Sequence, residues 1–348
     1  MSDFNQKDSD LGAAKIVFLP CTAIRQHQMK LTPLFQHTSN GARIILFLCI
    51  VLLSSVVVMA LSWMVASLVF GIPVSDIGLV MGDLQSSTGL NIARFVQIGS
   101  QLGLFLIPPL LMAFLVSSGP LKWLGFRRKL PLGQLIPGVM LIFVALPFLH
   151  WLSGINDGLN LPDWLSGIEA WMREQEDYAE LITNKFLDVQ GVSWLLFNLM
   201  MVAVIPGIGE EMLFRSVLQP LLSRVFRSVH LGILLTALVF AAMHLQFYGF
   251  LPRLVLGMFM GYAFYLSSNI WLPVIMHTVN NGVAVVIHYL HFNGLTAVSV
   301  KDAASFSDNY FFVALSVLLS ALCLMIMVRS SSATKKEVQP AAEPLYKE

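Results

Sequence analysis

Apolar residues in this chain come in long unbroken runs, not in the alternation of a half-buried strand or the one-sided stripe of a surface helix. The stretch "IILFLCIVLLSSVVVMALSWMVASLVF" contains no charged side chain. A helix needs about 20 such residues to cross a bilayer. By that rule about eight spans are expected, at roughly 43–70, 93–117, 132–154, 192–222, 229–247, 251–268, 270–291 and 309–328. The expected fold is all-α: a polytopic membrane protein with about eight transmembrane helices and both termini cytoplasmic. Residues 1–42 then form an N-terminal tail, 43–328 the transmembrane domain and 329–348 a C-terminal tail. The fourth run is too long for one straight crossing.

Composition agrees with that class. The chain is 56% hydrophobic and 12% charged, where a soluble domain carries about 25% charge. A net charge of +1 points to no nucleic-acid partner. Cys21, Cys49 and Cys323 have no C-x-x-C spacing, and Cys49 and Cys323 fall inside expected spans, so packing is their expected role. The early run "IVFLPCTAI" is short and follows acidic residues, unlike a cleavable signal peptide.

Lysine and arginine set the expected orientation. Lys7, Lys15, Arg25, Lys30 and Arg43 precede the first span. Lys122, Arg127, Arg128 and Lys129 join the second to the third. Arg224 and Arg227 join the fourth to the fifth, and Arg329, Lys335, Lys336 and Lys347 follow the last. The first-to-second connection has Asp76 and Asp83 but no cation, and the third-to-fourth is strongly acidic. Arg253, near the outer end of the sixth span, is the exception. Within the acidic connection, Trp164, Ile168, Trp171, Tyr178 and Ile182 recur at helical spacing. An amphipathic helix over about 162–187, lying at the outer interface, is expected. It is either an ordinary interfacial element or a lid that gathers substrate.

Three stretches place polar chemistry inside the apolar runs, where a charge costs at least about 2.5–3.5 kcal/mol. They are Glu210, Glu211 and Arg215 in "PGIGEEMLFR", His244 in "FAAMHLQ", and His277 with Asn281 in "MHTVNNG". Glu211 and Arg215 are four apart and can pair on one helix face, as His277 and Asn281 share a face. Glu210 lies about one hundred degrees around from Glu211, so the two carboxylates need not share a task. Spans four and five turn near Arg227, with Glu210 and His244 equally far from the turn along the chain. Both are thus about 25 Å from it and at one level, which His277 and Asn281 reach if the hairpin projects about 10 Å from the bilayer. Pro206 and Gly207 can bend the helix just before the carboxylates. A carboxylate can take a proton from water, a His can orient that water or hold a metal, and a His–Asn pair can donate to an oxyanion. That set describes acyl-bond hydrolysis. Elsewhere, Gln97, Gln101 and Asn198 are expected to bond across helices, and Gly257 with Gly261 to mark a close helix contact.

The same residues resemble a known family. "EEMLFR" resembles the E-E-x-x-x-R motif of the CPBP intramembrane proteases, also called the type II CAAX prenyl protease or Abi family. "FAAMH" is similar to its F-x-x-x-H motif and "HTVNN" to its H-x-x-x-N motif, in family order and on separate spans. The resemblance covers about 190–292. It implies a catalytic chamber open towards the cytoplasm, with Glu210 as the base that activates water and His244 positioning that water. His277 and Asn281 would stabilise the oxyanion, and Glu211 with Arg215 would support them by pairing. A divalent metal such as zinc is not certain; if present, Glu210, His244 and His277 would hold it, leaving Asn281 free. The spacing is not the H-E-x-x-H of soluble zinc proteases. The implied substrate is a membrane-embedded or lipidated peptide, and the implied location the bacterial cytoplasmic membrane. A non-enzymatic immunity or scaffold protein and a proton-coupled transporter remain the rival readings.

Overall fold

The computed structural model describes residues 33–126, 130, 132–159, 161–299 and 309–337, with side chains as far as 331. "IVFLPCTAI", Cys21, the N-terminal cations before Arg43, Arg127, Arg128, Lys129 and Lys347 lie outside the described residues. The described residues are helical with no strand among them. The helices that matter here are α1 (Asn40–Phe70), α2 (Ser87–Val116), α3 (Leu132–Val144), α4 (Leu146–Asp157) and α5 (Ser166–Leu187). They are followed by α6 (Val192–Val225), α7 (Val229–Met243), α8 (Phe250–Ser267), α9 (Trp271–Phe292) and α10 (Tyr310–Glu337).

Helices stand at every place where a span was expected. By length and composition five of them can cross a membrane (α1, α2, α6, α8 and α10), and six if α3 and α4 count as one span bent by 42°. The bend falls at Ala145, just before Pro147 at the start of α4. The remaining two expected spans differ in kind. α7 is apolar but only 15 residues long, about 22 Å. α9 is long enough at 22 residues, but it carries His277, Asn280, Asn281, His288 and His291. The chain is an all-α, multi-pass membrane protein.

Capping and proline chemistry shape the helices. The hydroxyls of Ser39, Ser86 and Ser228 accept the N–H groups of Ala42, Gly89 and Leu231 at the starts of α1, α2 and α7. Between α6 and α7 the chain reverses at Arg227, which takes a positive φ of 53°. Three wide, π-helical turns interrupt otherwise regular helix: Leu102–Leu106 in α2, and Leu199–Val204 and Met212–Leu218 in α6. Each ends two residues before a proline: Pro108, Pro206 and Pro220. A proline ring crowds the carbonyl four residues back and offers it no N–H. A widened turn relieves the crowding without breaking the helix, and such turns recur at functional sites.

Packing closes one end of the bundle. Phe47 from the start of α1, Met112, Ala113 and Val116 from the end of α2, and Met212, Leu213, Phe214, Val217 and Leu221 from α6 form one buried cluster. Leu124 joins it from the connection after α2, and the Ser216 hydroxyl donates to the Leu124 carbonyl at 2.6 Å. A second cluster joins α3, α4, α8, α9 and α10 through Leu141, Leu149, Met260, Leu272, Met276 and Met327. Helices α7 and α8 meet at Gly257 and Gly261, as the small-residue pair predicts. A Cβ at Gly257 would sit 3.2 Å from that of Ala237, and one at Gly261 only 2.8 Å from Ile233 Cγ2. The close approach leaves the two glycine carbonyls open to α6: Arg215 Nη2 donates to Gly257 at 3.2 Å and Gln219 Nε2 to Gly261 at 3.1 Å.

At the other end of the bundle lies α5, pinned at both of its termini. Near its start, Glu169 accepts the Leu161 N–H at 3.0 Å and pairs with Arg173 at 2.9 Å. Arg173 then lies over the ring of Tyr248 and Trp171 packs at a tilt against Phe247 of the α7–α8 connection, and the Tyr248 N–H donates to Glu176. At its end, Arg94 of α2 and Asn198 of α6 both donate to the Phe186 carbonyl, at 3.1 and 2.8 Å. A cation on the last carbonyls suits the negative end of the helix dipole. Asn198 therefore bonds across helices as expected.

Candidate active site

The long helix α6 presents Glu210 and Glu211 between two of its wide turns and Arg215 within the second of them. All three are buried: Glu210 is 6% exposed, Glu211 and Arg215 not at all. Glu211 Oε2 lies 3.1 Å from Arg215 Nε. Its other oxygen, Oε1, accepts the Nδ1–H of His277 from α9 at 2.8 Å. Arg215 also covers the ring of Phe240, with its guanidinium carbon 4.6 Å from the centroid. Four groups from three helices therefore lock one another in place around a single carboxylate.

Glu210 is left differently placed. Its Oε2 is buried and bonds to no protein atom; the nearest ionisable partner is His277 Nε2 at 3.9 Å. Donation through Nδ1 to Glu211 fixes the orientation of His277, with Nε2 turned towards Glu210, in the way a carboxylate orients a catalytic imidazole. Phe240 fills the space between the two histidines, its ring centroid 5.0 Å from His244 and 6.0 Å from His277.

His244 stands just past the end of α7. Its Nδ1–H donates to the Phe240 carbonyl at 2.8 Å, so Nε2 is the nitrogen left to act. The next residue, Leu245, turns the chain with a positive φ of 52°, a conformation that costs a side-chain-bearing residue about 1–2 kcal/mol. Arg253 holds that turn by donating to the carbonyl and side-chain oxygen of Gln246, at 3.0 and 2.6 Å. The outlying arginine of the sequence pattern thus has a local task beside His244.

Asn281 lies one helical turn beyond His277 and donates through Nδ2 to the Val202 carbonyl at 3.1 Å. Val202 is four residues before Pro206, which has no N–H to give it. The proline that widens α6 therefore also leaves a carbonyl that anchors Asn281. The Asn281 oxygen accepts from Asn280 at 3.0 Å, leaving one N–H on Nδ2.

Glu210, His244 and Asn281 line one cavity of about 460 Å³, and His277 sits behind Glu210, 4% exposed. The sequence leaves α5 open between an ordinary interfacial helix and a lid, and it does not mark the other wall residues. Gln97 and Gln101 of α2, expected to bond across helices, instead face this cavity, and Gln101 Oε1 bonds to no protein atom. Their spacing of four puts both amides on one face. Gln175, Tyr178, Ile182 and Thr183 of α5 close the side opposite α6. The signal available for α5 was its amphipathic spacing; nothing local marked which of its faces met the site.

A zinc centre requires three protein ligands converging on one point. Among the described residues no group of three His, Cys, Asp or Glu side chains gathers that way. Glu210 and His277 approach one another, but His277 Nδ1 is taken by Glu211. The expected donor set of Glu210, His244 and His277 does not form a ready three-ligand site.

The cavity also bears on orientation. Its walls come from α5, from Gln97 and Gln101 midway along α2, from Met201 to Glu210 midway along α6 and from His244 just past α7, whereas the end near Lys122 and Arg224 is filled by the apolar cluster. The resemblance implies a chamber open towards the cytoplasm, whereas the cavity lies on the α5 side of that apolar cluster.

Residues 192–283 match the family model for type II CAAX prenyl endopeptidase Rce1-like proteins. The matched segment contains the Glu210–Arg215, Phe240–His244 and His277–Asn281 motifs. The match supports the CPBP/CAAX protease family and, in general terms, a CAAX-protease-like intramembrane endopeptidase. Comparison with curated proteins and with solved structures gave no match.

Proposed function

We propose that this chain hydrolyses a peptide bond of a membrane-associated or lipidated substrate, with Glu210 as the general base for water. The observation that carries the reading is the contrast between two adjacent carboxylates. Glu211 accepts from His277 at Oε1 and faces Arg215 Nε across 3.1 Å at Oε2, whereas the ion-pair partner of Glu210, His277, stands 3.9 Å away and Glu210 lines a cavity with His244 and Asn281. Neutralising one of two neighbouring acids leaves the other to do proton chemistry.

In this reading a water in the cavity gives a proton to Glu210 as its oxygen adds to the scissile carbonyl. His244 Nε2, left free by the bond to Phe240, accepts the water's other hydrogen and aims it. The oxyanion takes the remaining Asn281 N–H, and collapse of the tetrahedral species returns the proton from Glu210 to the leaving amine. His277 is oriented by Glu211 with its Nε2 3.9 Å from Glu210; that differs from an oxyanion-stabilising role, because its Nδ1 proton is already committed. General-base catalysis contributes about 10²–10⁴-fold. The 43–328 domain carries the whole site, and the bacterial cytoplasmic membrane is the proposed location.

The test compares membrane peptides from cells producing wild type or Glu210→Gln at equal levels. Fragments present with wild type and missing with the variant support the reading. An identical fragment set, with the variant intact in the membrane, overturns it.

A further inference from the structure

We propose that the chamber opens on the non-cytoplasmic face of the membrane, so that the enzyme takes neutral or cationic peptide segments exposed at the outer surface. This rests on the hydrolytic reading of the same site but draws on separate observations.

The first is where the cavity lies along the bundle. Gln175, Tyr178, Ile182 and Thr183 of α5 form its far wall, and α5 lies across the bundle end that holds the starts of α2 and α6 and the end of α7. Asn293, just past the end of α9, bonds to Val189 at this end, and His288 in the last turns of α9 bonds to Asp188. Going the other way from Glu210, the route is blocked. Met212, Leu213, Phe214, Val217 and Leu221 pack against Phe47, Met112 and Val116 with almost no exposed surface. The cavity that reaches Glu210 lies between α6 and α5, and on the other side of Glu210 stands that apolar plug.

The second is charge. Short connections rich in Lys and Arg stay in the cytoplasm, and acidic residues count for little in that rule. Lys122 in the α2–α3 connection and Arg224 and Arg227 at the α6–α7 turn lie at the plugged end, and the α2–α3 connection also carries Arg127, Arg128 and Lys129 in sequence. The α1–α2 connection at the other end has none. α5 has two cations, Arg173 and Lys185, against Glu169, Glu174, Glu176, Asp177 and Glu180. Trp164 just before it and its own Trp171 and Tyr178 remain about half or more exposed, as side chains anchored in a membrane interface do.

Chamber and charge together place the mouth outside. Its lining suits a polypeptide backbone: Gln97, Gln101 and Gln175 each offer both a donor and an acceptor, which an unwound peptide requires wherever water is excluded. The acidic outer surface of α5 favours neutral or cationic segments over acidic ones.

Single-cysteine labelling decides the matter without any substrate. In a background lacking Cys21, Cys49 and Cys323, cysteine is placed at Asp177 on α5, Gln101 in the cavity and Lys122 at the plugged end. A membrane-impermeant maleimide is applied to spheroplasts and to inverted vesicles. Asp177→Cys and Gln101→Cys should label at least tenfold faster in spheroplasts, and Lys122→Cys at least tenfold faster in inverted vesicles. The reverse pattern, or a Gln101→Cys silent in spheroplasts, overturns the proposal. Labelling needs no turnover, so loss of the Glu210 mechanism and loss of the orientation are read separately.

Discussion

Replacing Arg215 by methionine removes the one cation that faces Glu211, and its effect can be worked from the geometry. The pair is 3.1 Å apart with neither side chain exposed. At an effective dielectric constant of about 20, two unit charges at that distance attract by roughly 5 kcal/mol. The guanidinium also lies 4.6 Å from the Phe240 centroid, a contact worth up to about 2 kcal/mol when desolvated. Against these stands the desolvation of the arginine itself, which the methionine avoids. Removing one partner of a buried pair costs about 3–5 kcal/mol in practice, because the other charge is left behind. Arg215→Met should therefore lower the unfolding free energy by about 3–5 kcal/mol, read by reversible denaturation in mixed micelles. The companion variant is Glu211→Gln with Arg215→Met, which removes both charges and keeps an oxygen for the His277 Nδ1–H. It should regain at least about 2 kcal/mol of that loss. A single variant within about 1 kcal/mol of wild type, or a double variant as unstable as the sum of its parts, would refute the reasoning.

Three other outcomes follow from particular contacts. Gln101→Leu keeps the bulk of a cavity residue but removes both hydrogen-bonding groups, so KM should rise about tenfold with kcat little changed, as for uniform binding; a fall in kcat alone would assign Gln101 to the chemical step. Gly261→Ala puts a methyl 2.8 Å from Ile233 and should destabilise by about 1–3 kcal/mol, whereas Gly41→Ala, with open space around it, should not. Hydrogen bonds from Arg173 and from the Leu161 N–H hold the Glu169 carboxyl below its usual range. A carboxyl lowered on folding adds stability above its unfolded value, near pH 4, and loses it as pH falls through the folded value. Hydrogen exchange at the start of α5 should accelerate there, and Glu169→Gln should abolish that acid-dependent step.

Much of the fold was legible because it is written locally. Long apolar runs mark helices wherever they end up packing, and helix stands at each expected place. The Glu211–Arg215 pair and the Gly257–Gly261 contact were readable for the same reason, since spacing along one helix decides both. What was not legible depends on which faces meet. The bond from His277 to Glu211 joins residues 66 apart, and no periodicity announces it. The sequence around Gln97 and Gln101 points to helix packing, because a glutamine inside an apolar run looks the same whether it faces a neighbour or a cavity. α7 falls short of a full span because Leu245 takes a left-handed turn that Arg253 secures from the next helix. The prolines sit between these cases. A bend at Pro206 was foreseeable, but that α6 would absorb it as a wide turn and anchor Asn281 at Val202 depended on α9 lying alongside.

The most direct test of the account is the rate of peptide cleavage by purified protein in proteoliposomes, comparing wild type with Glu210→Gln on a substrate found in the fragment comparison. Glutamine keeps the size of the side chain and cannot take a proton from water. Catalysis should fall by at least about 10²-fold with the melting temperature unchanged or raised, since Glu210 makes no protein hydrogen bond through its free oxygen. A Glu210→Gln protein that cleaves at the wild-type rate would contradict the assignment of Glu210 as the base.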